Sequence, residues 1–532
     1  MASENSPVAA YSSLVGVIYV FNLIVGTGAL AQPKAFQHAG YILGVVTLTV
    51  SCFISYISAT FIVESMAAAN AVIQGRKMRE QFRKPWTTQD DSKSENENEA
   101  RHRLSTSPSI ISIPCHKDYF EINERVELSE MANIFVGKYG VILFYLCLII
   151  YLYGDLAIYG ALVPKSLTTV ICAANASCPN DTGEPLPTDL CFAIGPSWLT
   201  RFTVYRLLVC VFVLFVGPFV FFGMSSTKYL QLLTTSTRWL ALTLMIVLGI
   251  RIIGMGDAKG KPPAANFSKF GDIFGIAVYS FMCQHSLPAI LTPMTSKSRI
   301  YQKFLVIFVL ILFFYMAMAI CGAFAFKTVE DVYTLNFFGP CGPSHDKQTV
   351  STVLLVFDYF LAFFPVFTIS ASWPVIGITL RNNLRALFFG TSSTVHDSSD
   401  EVTSRSGSFR EDPEHEVEKA GVCAGWVSYG TRKKLSTFLV PIVVIIPPWV
   451  VALFTDNVEM LSSITGSYPG VGVQFILPAM LIIGVRKYVP EWLNWKGKLP
   501  HGSPFSGIAW PIFLFVWSLL TVVVVTVNLA MR

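Results

Sequence analysis

The sequence predicts an all-α, polytopic membrane protein with eleven transmembrane helices. They form two inverted five-helix repeats plus one extra helix, with helices one and six broken. Three observations carry this. Hydrophobic residues make up 53% of the 532 positions and charged residues only 14%, a balance foreign to soluble domains of this length. Apolar runs of about 20 residues or more, enough to cross a bilayer, recur along the whole chain. Two of them, five runs apart, carry helix-breaking residues at mid-depth, where backbone groups can least go unpaired.

The runs fall at 12–37, 42–69, 133–163, 202–223, 229–254, 270–294, 302–326, 350–380, 434–455, 459–485 and 507–530. The first eleven residues lack a basic stretch and no small-residue cleavage site follows, so 12–37 reads as a retained span. The net charge of +5 does not point to nucleic acid, because the basic residues lie in short loops between spans. No nucleotide-binding glycine loop, HExxH or GxSxG occurs, and the eleven cysteines show no metal-type spacing. Neither an enzyme nor a tightly held cofactor is expected.

Orientation follows from Lys and Arg, which gather at 76–84, 297–303, 381–385, 432–434 and 486–498. With eleven alternating spans, all these loops share the side of the N-terminus, which is therefore cytoplasmic, with the C-terminus outside. The sequons at Asn175, Asn180 and Asn266 all fall in loops on the outer side. Cys172, Cys178, Cys191 and Cys341 share that oxidising side, where a disulfide among them is expected and its pairing is open. The chain thus divides into an N-terminus (1–11), a first repeat (12–254), a second repeat (255–485) and an eleventh helix with external C-terminus (486–532). Loops 74–118 and 391–420 are Ser-rich and mixed in charge, and read as disordered cytoplasmic tethers whose partners the sequence does not name. Residues 119–122, "YFEI", have the form of a tyrosine-based sorting signal; plasma and endolysosomal membranes are both compatible.

The first interrupted run reads "NLIVGTGALAQP" (22–33) and the second "FMCQHSLPAILTPM" (281–294). Unwinding a helix frees N–H groups at the start of the following half-helix, which suit a carboxylate. It also frees C=O groups at the end of the preceding one, which suit Na⁺ or an ammonium. An amino acid carries both charges. Gly26, Thr27, Gly28, Cys283, Gln284 and His285 are therefore the candidate binding residues. The competing reading of Gly26 and Gly28 is a notch for a neighbouring helix. Among ionisable groups within spans, Glu64 reads as snorkelling to the cytoplasmic interface. Asp155, with Tyr153 and Tyr159 as candidate partners, and His285 are candidate proton carriers.

These two segments, with "SSITGSYPGVGVQFILPAM" (462–480) and "ELSEMANIFVGKYG" (127–140), resemble the first, sixth and tenth helices and the lead into the third helix of the amino acid/auxin permease family. The resemblance covers all eleven spans but not the two long loops, and extends to the sodium-coupled neutral amino acid transporters. It implies a LeuT-like fold and a substrate carboxylate at the backbone around Gly26, Thr27 and Gly28. It also implies Na⁺ held by Asn22 and a helix-eight Thr; Thr368, Ser370 and Ser372 are candidates, though Pro365 and Pro374 are spaced differently from those relatives. The implied function is ion-coupled (Na⁺ or H⁺) amino acid symport by alternating access, or amino acid sensing on the same fold without net flux.

Overall fold

The computed structural model describes residues 11–83, 117–173, 188–192, 196–221, 228–338, 352–389, 429–493, 495, 497 and 499–531. Among them all regular structure is helical, with two isolated bridges, Tyr11 to Met294 and Leu190 to Thr200. In chain order the helices are α1 (Ser13–Ile24), α2 (Gly28–Ala39), α3 (Tyr41–Arg83), α4 (Leu128–Phe135), α5 (Lys138–Ile171), α6 (Arg201–Val216), α7 (Lys228–Gly254) and α8 (Phe270–Ser280). They continue as α9 (Leu287–Leu291), α10 (Ile300–Ala325), α11 (Thr352–Phe389), α12 (Tyr429–Phe454), α13 (Val458–Thr465), α14 (Leu477–Leu493) and α15 (Ala509–Ala530).

Nine described helices are long and apolar enough to cross a membrane, ten when α1 and α2, bent by 50° at their junction, count as one span. Each of the eleven apolar runs falls on helix; the remaining one, 434–455, is represented by the shorter apolar helix Phe438–Phe454. The amphipathic α4 stands apart from α5, as Gly137 takes φ +83 between them, a turn that costs glycine little. Between α13 and α14 the backbone widens into π-helical segments, Gly466–Gly470 and Gly472–Ile476, which hydropathy does not reveal.

Burial separates centre from rim. In Phe267–Leu291, 78% of the most apolar window is enclosed, against 28% in Ala509–Ala530. The interrupted run is thus the core, while α15 turns Val516, Leu519 and Val523 outward, as a lipid-facing helix should. Glycines bring α8 against α13 and the π-helical segment that follows it: a Cβ on Gly466 would lie 1.9 Å from Gly275 O, and one on Gly275 would lie 2.1 Å from Ser463 O.

Several expectations change. Residues 74–83, assigned to a disordered tether, continue α3 as helix; 84–116 and 391–420 lie outside the described residues. Glu64 does not snorkel. It is buried, and Arg486 holds it through Nε at 3.2 Å and Nη2 at 3.1 Å, with Ser503 N at 2.8 Å. That bidentate pair ties α3 to α14. Phe120 and Ile122 of "YFEI" are buried, so the segment packs inward where an adaptor would need it extended and free. The disulfide joins Cys172 and Cys191 in a small buried cluster with Val204. Cys178, Cys341, Asn175 and Asn180 lie outside the described residues.

Candidate functional site

The first break follows from its residues. Val25 leaves the helical conformation (φ −76, ψ 93), and α2 restarts with Ala29 N donating to Gly26 O at 3.3 Å and Leu30 N to Thr27 O at 3.0 Å. The amides of Thr27 and Gly28 precede the first amide bonded within α2, at the positive end of its dipole, while the Gly26 N–H is hydrogen-bonded to the Tyr315 hydroxyl. All three residues line a cavity of about 270 Å³, near the lower end of small-molecule pockets (roughly 300 Å³ upward). The two glycines differ. Among the described residues, a Cβ on Gly26 would find no neighbour closer than Ile24 O at 4.0 Å, whereas one on Gly28 would lie 2.5 Å from Ser280 Oγ and 2.8 Å from Ser280 Cα. Gly26 opens onto the cavity; Gly28 is a notch for α8.

The second break is filled from within. After Ser280, residues 281–283 are non-helical, Gln284–Ser286 make a 3₁₀ turn, and Pro288 sits in the first turn of α9, where its missing N–H costs nothing. Gln284 Oε1 accepts from Cys283 N at 3.0 Å and its Nε2 reaches Ser55 O at 3.5 Å. Cys283 and Gln284 are thus buried wall residues that do not line the cavity. His285 does line it, 5.5 Å from the Tyr151 ring, and its Nδ1 has no hydrogen-bond partner among the described residues. Asp155 lines the same cavity and accepts a hydrogen bond from the Tyr279 hydroxyl, which lies 2.9 Å from Thr27 Oγ1. Its expected neighbour Tyr153 points away, donating to Val443 O at 2.9 Å.

The freed carbonyls are already taken. Arg238 of α7 donates through Nη1 to Asn22 O at 2.8 Å and Val25 O at 2.7 Å, with Asn22 Oδ1 at 3.2 Å. Asn22 Nδ2 donates to Thr235 Oγ1 at 2.9 Å. The Tyr315 hydroxyl lies 3.1 Å from Ile24 O and 3.2 Å from Ser280 O, the last carbonyls of both first half-helices. Thr368 and Ser372 hydroxyls donate to their own helix, to Phe364 O and Thr368 O, both at 2.9 Å. Ser370 lines neither this cavity nor the smaller one beside Arg238. That smaller void, of about 20 Å³, touches Arg238, Thr368 and Ser372 and has room for roughly one water. The donor set expected for Na⁺, Asn22 with Thr368, does not fit the ion: Asn22 is spent on α7, and a guanidinium holds the carbonyls. An arginine inside the run 229–254 is itself a functional signal, and it is the one the motif-based reading passed over.

At the end of the bundle away from Ser13, Asp331 joins Lys34 of α2 and Lys165 of α5 (3.0 Å) and accepts from Val458 N at 3.2 Å. Burial acts to raise the Asp331 carboxyl, but the two ammonium groups outweigh it and hold it well below the usual carboxylate range. His38 meets Glu459 there at 3.2 Å. Asn266 lies at this end: its Nδ2 donates to His38 O at 3.3 Å, and its Oδ1 caps Ser268 N at 3.2 Å.

The profile of the family described as "Transmembrane amino acid transporter protein" matches residues 10–85 and 109–526. Transmembrane protein 104 homolog of Caenorhabditis elegans is 39% identical, over 99% of this chain and 98% of its own length. Transmembrane protein 104 of Homo sapiens is 38% identical over 98% and 96%, and the Drosophila melanogaster homolog 36% over 98% and 97%. With broken, apolar helices around a cavity that Asp155 and His285 line and a family match along nearly its whole length, this chain belongs to the transmembrane amino acid transporter protein family.

Proposed function

We propose that the protein carries amino acids across the bilayer by alternating access, with the substrate carboxylate at the Thr27 and Gly28 amides and its ammonium at Asp155. The observation that carries this is the cavity itself, which has first-turn amides on one wall and a carboxylate on another. The two partners of a zwitterion are therefore supplied within one space of small-molecule size. The conformation fits one stage of such a cycle. The Lys34, Lys165 and Asp331 cluster ties α2 to α5 at one end, while the cavity is lined by Leu23, Tyr151, Thr234 and Thr379 toward the other. The two halves, 12–254 and 255–485, would rock about this site, with the N-terminus cytoplasmic and Asn266 outside and glycosylated. Any coupling runs through protons on Asp155 or His285, both on the cavity wall.

Uptake into proteoliposomes of the purified full-length protein tests this, using a panel of amino acids, their methyl esters and the corresponding decarboxylated amines. The free amino acid should be taken up and both derivatives refused, and Asp155→Asn should abolish uptake. Equal uptake of the methyl ester would overturn the carboxylate assignment, and saturable binding without uptake would mark a sensor.

A further inference from the structure

We infer that Arg238 is a tethered cation in the place a coupling Na⁺ would take, so that the break in the first span is stabilised without any bound metal ion. A helix that ends inside a membrane leaves carbonyl oxygens that need a donor or a cation. A mobile ion can meet that need, and so can a positive side chain from a neighbouring helix. Here one face of α7 meets it at three successive points. Thr235 engages the Asn22 amide, Arg238 the Asn22 and Val25 carbonyls, and Trp239 stacks on Phe21 with ring centroids 4.0 Å apart and 14° between planes. The spacing i, i+3, i+4 puts all three on one stripe of the helix. The acceptors of Arg238 Nη1 are neutral oxygens, the kind of ligand Na⁺ prefers, and the fixed geometry of a guanidinium suits it to bridging them. A second cation would find the Asn22 side-chain oxygen already 3.2 Å from Arg238 Nη1 and a void the size of a single water, next to a like charge. The Na⁺ gradient then cannot drive the cycle, because the cation never leaves. That consequence rests on the proposed transport function; the occupancy of the site does not.

The test reads cation binding on the purified full-length chain, without any amino acid. The parent should show no saturable binding of radiolabelled Na⁺, and the same Tm in about 150 mM NaCl, KCl or choline chloride. Arg238→Ala vacates the carbonyls. Its Tm in choline should fall by several degrees and recover in part with NaCl or with low-millimolar methylguanidinium, a response the parent lacks. Arg238→Lys keeps a charge but not the fork, and should fall between them, which preserves a readout should the alanine variant not fold. Saturable Na⁺ binding or a Na⁺-specific rise in Tm of the parent would overturn the inference. So would an Arg238→Ala protein as stable as the parent and indifferent to cations. Neither result bears on which solute the cavity takes, and failure of the uptake experiment leaves the cation result standing.

Discussion

In the α1–α2 break, the residues that restart the helix line a cavity while Arg238 and Tyr315 cover the carbonyls. In the α8–α9 break the chain covers its own amide: the Gln284 side chain folds back onto Cys283 N, and His285 faces the cavity. Both segments interrupt an apolar run with small or polar residues and a proline, yet the freed groups are met differently: by neighbouring helices in the first, by the chain's own Gln284 in the second. A helix-breaking motif marks where hydrogen bonds are lost. The neighbouring helices decide which of the freed groups stay available.

Substitutions at the two breaks should separate these roles. The largest effect is expected at Gly28→Val, whose Cβ would collide with the Ser280 backbone as well as its hydroxyl. Overpacking of this kind costs about 3 kcal/mol, and it should appear as a sharp drop in monodisperse yield and Tm. A well-folded Gly28→Val protein would break the assignment of this glycine as a notch. Gln284→Ala comes next. It strands the buried Cys283 N–H, at a cost of about 1–3 kcal/mol, and should lower Tm while leaving ligand affinity unchanged. A change in affinity would put Gln284 at the ligand and make the two breaks alike.

Gly26→Ala should do the reverse. With no neighbour inside 4.0 Å of the new methyl, stability should stay within about 0.5 kcal/mol. The methyl stands at the cavity wall beside the proposed carboxylate site, so amino acid affinity should fall about tenfold, or about 1.4 kcal/mol, by isothermal titration. Unchanged affinity would remove the amides from the site. The smallest change is expected with pH, in the tie that holds α2 but neither half of the second break. Asp331 is depressed, so its stabilisation is complete above the unfolded carboxylate value of about 4 and is lost only as pH falls through its lower folded value. The Tm difference between the parent and Asp331→Asn should therefore be equal at about pH 7 and about pH 5, the range between neutral and acidic compartments. A gap that narrows at pH 5 would show that the tie releases on acidification.

Hydropathy, helix breakers and the spacing of two interrupted runs were enough to place the helices and both breaks, because each depends on residues within one or two turns of each other. The same local information could not tell Gly26 from Gly28, since the difference is the Ser280 backbone, which arrives from another span. Nor could it show that the Asn22 side chain meets Thr235 and Arg238 of α7, or that the Thr368 hydroxyl donates to the preceding turn of its own helix. Asp155 was picked out as a buried acid, but its partner Tyr279 comes from another span. The Lys34, Lys165 and Asp331 cluster was invisible for the same reason: two lysines on separate helices and an acid in a loop show no relation in sequence until the chain brings them together. Local sequence determined where backbone hydrogen bonds must fail. Only the packing of distant helices decided which charge or hydroxyl would replace each lost bond, because that depends on what lies within about 3 Å across the bundle.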